Sequence, residues 1–276
     1  MTTPTTAPIL IIGGAGKTGR RVNAVLKARG IPTRTVSRST TPSFDWQRPE
    51  GWAAALDGVS KAYVTYQPDL AVEGAAEAIA ELAHIARRKG LERVVLLSGR
   101  GEPGAQRAEG ALESSGVPWT TVRASWFNQN FSEGYLLDSV LAGEIALPAG
   151  PVREPFIDAD DIADVVVAAL TEERHANRLY EVTGPRSLTF ADAVGEIAAG
   201  LGRPVRYVQM TPEDFVVTMR AYAPEEIVQL LNDLFTVVLD GRNTQVMHGV
   251  EEALGRPATD FSTYVRNTVR AGTWSI

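Results

Sequence analysis

The sequence contains no cysteine, and it has only three histidines in 276 residues. The absence of cysteine excludes disulfides, zinc–thiolate sites and cysteine nucleophiles. The three histidines, at positions 84, 175 and 248, are scattered along the chain and argue against a metal centre. We therefore expect no metal to be bound.

An excess of positive charge is also missing. The chain has 27 Lys and Arg residues against 33 Asp and Glu residues, a net charge of −6. A general nucleic-acid surface needs clustered basic residues to contact the phosphates, so we expect no nucleic-acid partner. Local basic pockets are still compatible with this balance.

Long apolar runs are absent as well. No run approaches the roughly 18 residues of a membrane span, so we expect no membrane association. The first residues, MTTPTTAP, lack the basic and apolar blocks of a signal peptide, which favours a cytoplasmic protein. The hydrophobic content of 44% is ordinary for a globular chain and is sufficient for a sizeable core.

Short apolar segments alternate with segments of helical spacing in the first half of the chain. The predicted strands are 8–12, 33–37, 62–66, 93–98 and 119–123, and the predicted helices between them are 17–29, 70–89 and 104–115. Alternation with short connections is typical of a parallel sheet covered by helices on both faces. The pattern predicts an α/β, Rossmann-like fold.

The regular alternation of predicted strands and helices ends after residue 124. We expect a Rossmann core over 1–150 and a mixed region over 151–276, in which 156–184 completes the core. The remainder, 185–276, is predicted to be a small, mostly helical C-terminal region. It includes a helix over 189–202 with Thr189 as N-cap and a glycine stop. Its apolar residues either pack as ordinary core or cover a substrate.

The segment ILIIGGAGKTGRRV, residues 9–22, contains two competing motifs. Read as a phosphate-binding P-loop, Gly16-Lys17-Thr18 requires a glycine at position 11, which is an isoleucine inside the first strand. Read as a dinucleotide turn, Gly13, Gly16 and Gly19 directly follow a buried strand and open a helix. We therefore predict a dinucleotide site formed by Gly13, Ala15, Gly16, Lys17, Thr18 and Gly19.

The end of the second predicted strand indicates which dinucleotide is bound. Sites that prefer NAD place an acid about 20 residues beyond the glycines, to accept from the ribose 2′-hydroxyl. Here Arg38, beside Ser37, lies 19 residues after Gly19. A guanidinium would bind the 2′-phosphate of NADP, so the cofactor is predicted to be NADPH/NADP. The segment 44–46 either borders the adenine or packs on the core.

Several segments together resemble the NmrA-like group of atypical short-chain dehydrogenases/reductases. They are GGAGKTGR, VSR, DLAV, RVVLLSGRG, SGVPWTTVRASWFNQNFSEG and PFIDADDIADV. The chain is similar to the members likened to agroclavine dehydrogenases and to NADPH:quinone reductases. The resemblance implies a nicotinamide that passes the strand ends at Tyr66 and Ser98, and a small C-terminal substrate region.

The sequence departs from the wider superfamily in its proton donor. Most short-chain reductases use Tyr-x-x-x-Lys, in which the tyrosine protonates a carbonyl oxygen. The residues four positions after the seven tyrosines are Gln67, Leu70, Ser139, Gly184, Thr211, Glu226 and Thr268. None is lysine, which leaves three alternatives. The substrate is an iminium or quinone-like acceptor that takes hydride with little need for a protein acid, or a ketone is reduced with a proton from water or from the substrate's own hydroxyl. In the third alternative the protein binds NADP(H) and catalyses no reaction.

Ser98 is the predicted catalytic residue, since a strand-end serine can polarise a carbonyl. Trp126, Phe127 and Tyr135 are predicted to line the substrate pocket, or else to be core. Arg100, Asn128 and Asn130 are weaker candidates for the site. The acids of DADD, 158–161, are interpreted as helix caps and dipole partners.

We therefore predict an NADPH-dependent reductase that transfers hydride to a ketone, quinone or iminium of a bulky, flat, polycyclic metabolite of secondary metabolism. The alternative is a non-catalytic NADP(H)-sensing regulator of NmrA type that binds a protein partner.

Overall fold

The computed structural model describes residues 7–275, and these form two compact units. The first unit comprises the described residues up to Ala124 together with Ala159–Val182 and Gly249–Arg256. The second comprises Ser125–Asp158, Thr183–His248 and the described residues from Pro257 onward.

The regular elements of both units are numbered in chain order. The strands are β1 (Ile9–Ile12), β2 (Thr33–Val36), β3 (Lys61–Val64), β4 (Arg93–Gly99), β5 (Trp119–Ala124), β6 (Glu144–Leu147), β7 (Arg153–Glu154), β8 (Arg178–Val182), β9 (Leu188–Thr189) and β10 (Arg206–Gln209). The helices are α1 (Lys17–Ala28), α2 (Trp52–Ala55), α3 (Ala75–Arg88), α4 (Pro103–Ser114), α5 (Leu137–Ala142), α6 (Ala159–Thr171), α7 (Phe190–Leu201), α8 (Pro212–Met219), α9 (Glu225–Asp233), α10 (Gly249–Leu254) and α11 (Phe261–Arg270).

A six-stranded parallel sheet organises the first unit. Its strand order is β2-β1-β3-β4-β5-β8, and every neighbouring pair is parallel. The order reverses between β1 and β3, and ligands of such sheets bind beyond the carboxyl ends of the strands at this point. The predicted Rossmann-like α/β fold is confirmed.

Both faces of this sheet are buried, which explains the continuous apolar strands. Leu10 and Ile12 of β1 lie in the core cluster that also holds residues of α3 and α4. The alternate residues Ile9 and Ile11 are equally buried and are absent from that cluster. Successive strand residues point to opposite faces, so helices are needed on both, and α1 and α6 form the second packed pair.

The second unit has two small sheets and an aromatic core. β6 pairs with β10 in parallel, and β7 pairs with β9 antiparallel. Helix α7 begins at the predicted cap: Thr189 Oγ1 accepts from Asp192 N in a reciprocal capping box. It ends at Gly202, whose φ of +64° is left-handed, as the glycine stop predicted.

The borders of the units differ from those expected at residues 150 and 185. Segment 125–150 lies in the second unit, where Ser125 Oγ donates to Glu154 Oε1 at 2.7 Å. Helix α10 lies in the first unit, where it packs against α6 and β8, and Arg256, two residues beyond its end, donates to Asp161 and Asp164 of α6 at 2.7 and 2.6 Å. These contacts join residues distant in sequence, so composition gave no sign of them.

Two element ends also differ from the predicted ones. β3 ends at Val64, two residues before Tyr66. Helix α3 begins at Ala75 and not near residue 70, because Gly74 has a left-handed φ of +83° that a helix does not continue through. Within 7–275, none of the helices is both long and apolar enough to cross a membrane.

Candidate functional site

The glycine turn lies between β1 and α1. Gly13 has a φ of +81°, and its carbonyl oxygen accepts from Gly16 N at 2.9 Å, which closes the turn. A Cβ at Gly13 would overlap Thr65 Oγ1, and one at Gly14 would lie 2.8 Å from the Thr35 methyl group. The turn therefore needs glycine for backbone conformation at Gly13 and for space at both positions.

Gly19 brings the first turn of α1 against the same loop. A Cβ on Gly19 would overlap the Gly13 carbonyl oxygen and lie 3.0 Å from Gly14 Cα. Gly16 has only the Gly13 oxygen within reach of a Cβ, at 3.2 Å. Gly13 thus closes a tight turn, Gly16 leaves the backbone open at the helix start, and Gly19 allows α1 to pack closely against the loop.

A cleft of about 540 Å³ opens beside this turn. It is lined by Ile12, Gly13, Gly14, Ala15, Gly16, Val36, Ser37, Arg38, Phe44, Asp45, Trp46, Gln47, Thr65, Gln67 and Pro68. Five of the predicted cofactor residues are among them: Gly13, Ala15, Gly16, Ser37 and Arg38. All belong to the first unit, and the strand residues come from the carboxyl ends of β1 and β2.

The cleft is suited to a phosphorylated ligand by its charge. Gly16 caps α1 without a side-chain hydrogen bond, and the first turn has no acidic residue, so the helix start keeps its partial positive charge. Arg38 is exposed, and among the described residues its guanidinium has no hydrogen-bond or ion-pair partner. An open backbone and a free guanidinium in one cleft fit a diphosphate and a further phosphate.

An aromatic cluster forms another wall of the cleft. Trp46 lies 4.5 Å from Tyr66 and 5.0 Å from Phe44 between ring centroids, and its indole N–H donates to Thr65 O at 3.2 Å. Phe44 and Trp52 are buried in the core behind it. Phe44 thus packs on the core, as one interpretation of segment 44–46 expected, and Trp46 lines the cleft. Contact of this segment with an adenine stays a prediction.

Four predicted cofactor residues and Gly19 lie outside the lining of the cleft. Lys17 begins α1, and Thr18 is buried, with its hydroxyl accepting from Tyr63 at 2.9 Å. The Tyr66 ring contacts Trp46, and Ser98 is buried within β4. Their direct contact with a cofactor stays a prediction.

Ser98 belongs to a buried ionic network. Its hydroxyl donates to Glu109 Oε1 at 2.5 Å, and Glu109 also accepts from Arg123 Nε at 2.9 Å and from its Nη2. Arg123 bridges onward to Glu181 at 3.1 Å. The hydrogen bond to Glu109 holds the pKa of the Arg123 guanidinium above its usual range. A hydroxyl that donates its one proton to Glu109 cannot donate it to a substrate, so the predicted catalytic role of Ser98 requires this bond to break.

A second buried carboxyl group lies at the start of α4. Glu102 is 9% exposed and is hydrogen-bonded to the Asp69 side chain. Burial raises the pKa of Glu102 to about 9, and the negative charges of Asp69 and Glu109 act in the same direction. The backbone near the pair is closely packed, because a Cβ at Gly104 would overlap the Ala71 carbonyl group and one at Gly99 would lie 2.5 Å from the Glu102 carboxyl carbon.

The predicted substrate residues belong to the second unit. Trp126 is partly buried against Phe190 and Phe235, at centroid distances of 5.2 and 5.1 Å. Phe127 is partly buried and bridges Ile157 through its backbone, whereas Tyr135 is 37% exposed. Trp126 therefore packs on the core of the second unit and also keeps part of its side chain exposed to solvent.

The acids of 158–161 serve structural contacts. Asp158 Oδ1 accepts from Gln129 Nε2 at 2.7 Å, Asp160 pairs with Arg21 at 2.5 Å, and Asp161 is buried against Arg256. Asp160 and Asp161 also lie in the first turn of α6, where negative side chains interact favourably with the helix dipole.

Sequence reasoning missed the cleft residues after β3. Thr65, Gln67 and Pro68 line the cleft, as does Gln47 after β2. The available signal was positional, because residues beyond the carboxyl end of a neighbouring parallel strand share the edge at which ligands bind.

The comparisons with known proteins agree with this architecture. The family model for the NmrA-like family matches residues 106–266. The chain is also 30% identical to the NAD(P)H azoreductase of Xenophilus azovorans, over 94% of this chain and 96% of that protein. The chain belongs to the NmrA-like family. The predicted family is thereby confirmed, and the agroclavine dehydrogenase of Claviceps fusiformis is another relative, 26% identical over 93% of this chain and 96% of its own.

Solved structures share the fold of this NmrA-like chain. The NADPH-dependent quinone oxidoreductase of Escherichia coli, complexed with NADPH, superposes with a TM-score of 0.79 at 19% identity, over 95% of this chain and 99% of that one. The negative transcriptional regulator NmrA, in complex with NADP, superposes with a TM-score of 0.76 at 15% identity, over 98% and 99%. Enzymes and a regulator thus share one architecture.

Proposed function

We propose that this protein is an NADPH-dependent reductase. The observation that carries the proposal is the cleft in which the uncapped start of α1 and the free Arg38 guanidinium lie together. Gly13, Ala15 and Gly16, with the backbone of the first turn of α1, would hold the diphosphate. Ser37 and Arg38 would hold the 2′-phosphate, and the bound cofactor supplies a hydride.

Relatives support the reductase assignment. The azoreductase and the agroclavine dehydrogenase are oxidoreductases by name and align over nearly the whole chain. The proposed substrates are a ketone, a quinone or an iminium of a bulky cyclic metabolite. The chain has no Tyr-x-x-x-Lys pair, and iminium and quinone acceptors take hydride with the least help from a protein acid.

The decisive experiment measures NADPH oxidation by the purified protein against a panel of quinones, cyclic ketones and cyclic iminium ions. Turnover with at least one of the three classes is the expected result. Tight NADPH binding, shown by calorimetry, without turnover in any class would contradict the reductase and leave the cofactor assignment intact.

Replacing Arg38 with alanine tests the cofactor preference. We expect the Kd for NADPH to rise about 10- to 100-fold, because charge-assisted hydrogen bonds contribute roughly 1.5–3 kcal/mol. The Kd for NADH is expected to change little, since NADH has no 2′-phosphate. Calorimetric titration with both cofactors measures the two constants.

Arg29→Ala is the matched control. Arg29 is an exposed arginine at the end of α1 and does not line the cleft. Its replacement by alanine therefore removes the same charge outside the site. The control should bind NADPH like the unmodified protein. An equal loss in both variants would mean that net charge, and not a 2′-phosphate contact, decides the affinity.

A regulatory function is the second candidate. The missing Tyr/Lys pair favours it, and the fold is shared with the NmrA regulator. A regulator that senses the dinucleotide would capture a protein partner differently with NADP than without it. Absence of turnover combined with NADP-dependent capture of one specific partner would favour this function.

A further inference from the structure

Two hydroxyl groups from the β3 side of the sheet are hydrogen-bonded to the ends of the glycine turn. Tyr63, the third residue of β3, is 0% exposed, and its hydroxyl donates to Thr18 Oγ1 at 2.9 Å. Thr65 follows the end of β3, and its hydroxyl donates to Ile12 O at 3.1 Å. Ile12 is the last residue before the turn, and Thr18 is the second residue of α1 after it. The turn is therefore held at both of its ends from one strand.

The residues that donate these bonds are themselves fixed. β3 lies between β1 and β4 inside the parallel sheet, and Tyr63 is paired on both sides. Beyond the strand, Thr65 O accepts from the indole N–H of Trp46 at 3.2 Å. Thr65 Oγ1 also fills the space that a Cβ on Gly13 would need. Any movement of the turn relative to β3 therefore breaks a hydrogen bond or creates an overlap.

Packing alone does not require these two hydroxyls. Phenylalanine and valine would fill nearly the same volumes without a polar atom that has to be desolvated, and a single buried hydrogen bond adds only modest net stability. Burial raises the pKa of the Tyr63 phenol above its ordinary value, so the hydroxyl keeps its proton and remains a donor at neutral pH. A hydrogen bond adds direction to a contact, because it fixes both the distance and the angle between two groups.

The groups that are fixed in this way are those on which the proposed cofactor site depends. The first N–H groups of a helix have no intrahelical acceptor, and in α1 Thr18 contributes one of them. In the proposed complex these N–H groups would donate to the diphosphate. Groups that already have the bound geometry lose less freedom on binding, which raises the affinity.

We infer that Tyr63 and Thr65 are positioning residues of the proposed diphosphate site. Tyr63 acts through Thr18 at the start of α1, and Thr65 acts through the carbonyl group at the end of β1. Together they hold the glycine turn in the conformation that binds the cofactor. The inference rests on the proposed cofactor site. Because NADPH and NADH both carry the diphosphate, the two hydroxyls contribute equally to the binding of both, unlike Arg38.

Tyr63→Phe removes the first hydroxyl and keeps the ring. We expect the Kd for NADPH and the Kd for NADH to rise by the same factor, about 3- to 10-fold. Calorimetric titration of the whole chain, well below its melting temperature, measures both constants. Thr18→Val should have the same effect and Thr18→Ser should retain the affinity, whereas Tyr63→Phe should cause no further loss once Thr18 is valine.

Thr65→Val tests the other end of the turn. It removes the hydroxyl that donates to Ile12 O, and it should also raise the Kd for both cofactors by one common factor. Thr65→Ser keeps a hydroxyl at this position and should bind both cofactors like the unmodified protein. Equal constants in Thr65→Val and Thr65→Ser would overturn the role of Thr65.

Tyr180→Phe is the matched control. Tyr180 is a buried tyrosine of the same sheet, on β8, and its hydroxyl is hydrogen-bonded to His175 Nδ1 at 2.7 Å. It does not line the cleft. The control removes a comparable buried hydrogen bond, so its thermal stability should fall while the Kd for both cofactors stays unchanged. If Tyr63→Phe behaves like this control, Tyr63 is a structural residue and the inference is overturned.

The outcomes separate the inference from the reductase assignment. If the unmodified protein binds neither cofactor, the proposed cofactor site and the inference are both wrong. A loss in Tyr63→Phe that is confined to NADPH would overturn the inference alone, because the hydroxyl would then act on the 2′-phosphate side. The expected losses for both cofactors, without NADPH oxidation by any acceptor, would support the inference and overturn the reductase.

Discussion

Gly19→Ala is expected to abolish tight NADPH binding and to destabilise the first unit. The added Cβ would overlap the Gly13 carbonyl oxygen and lie 2.8 Å from its carbon, so either the turn or the start of α1 must shift. Both parts are backbone, which cannot rotate away as a flexible side chain can. Overpacking of this kind costs about 1–3 kcal/mol of the free energy of unfolding.

The binding effect follows from the same displacement. In the proposed complex the diphosphate would be held by backbone N–H groups whose positions the turn determines, and losing two charge-assisted hydrogen bonds would cost roughly 3 kcal/mol. We expect the Kd for NADPH to rise about 100-fold or more. Calorimetric titration measures the binding, and urea denaturation measures the stability.

Gly110→Ala is the matched control for this substitution. Gly110 also lies within a helix, α4, but a Cβ there would have no neighbour within 4 Å. The same replacement should raise the free energy of unfolding by about 0.5–1 kcal/mol, because alanine is the better helix former. We expect the free energy of unfolding to fall in Gly19→Ala and to rise in Gly110→Ala. A Gly19→Ala variant with unchanged stability and unchanged NADPH binding would contradict the proposed role of the turn.

Glu102→Gln is expected to stabilise the protein near neutral pH. The pKa of Glu102 is raised to about 9 in the folded protein, from its ordinary value of 4.5. Between these two values the folded protein holds a proton that the unfolded chain has released. The free energy of unfolding therefore falls as the pH rises through this window, by about 1.4 kcal/mol per pH unit.

Glutamine removes this dependence. Its amide is neutral at every pH and can still donate to Asp69. The increase in the free energy of unfolding caused by Glu102→Gln should be small at pH 5, reach on the order of 3 kcal/mol at pH 7, and grow until about pH 9. Urea denaturation across this range measures it. Glu113→Gln, exposed on the same helix, should show no such change, and a gain that does not grow with pH would contradict the protonated carboxyl.

Local patterns predicted much of the first unit. The strand–turn–helix at residues 9–28 followed from an apolar run, three glycines and helical spacing, which all act within a few residues. Parallel order followed from the alternation of elements. The capping box at Thr189 was equally local, because its two hydrogen bonds join residues three apart.

The site was predictable only where it coincides with such local signals. Gly13, Gly16 and Arg38 were selected from local signals and line the cleft, whereas Thr65 and Gln67 could be assigned to it only after β3 was placed beside β1. Ser98 was assigned to catalysis from its place at a strand end. Its partner Glu109 lies eleven residues away on the next helix, so the hydrogen bond depends on how α4 packs on β4.

The sequence by itself determined the glycine turn between β1 and α1, because glycine is the residue that tolerates both a positive φ and a backbone contact at van der Waals distance. It also excluded thiol chemistry, since that requires a residue the chain does not have. Tertiary structure alone decided which polar groups are satisfied. Glu102 retains a proton because folding buries it beside Asp69, and among residues 7–275 the amide of Asn128 is buried without a hydrogen-bond partner. Hydrogen bonding and dielectric environment are set by neighbours distant in sequence, and these neighbours are defined only in the folded chain.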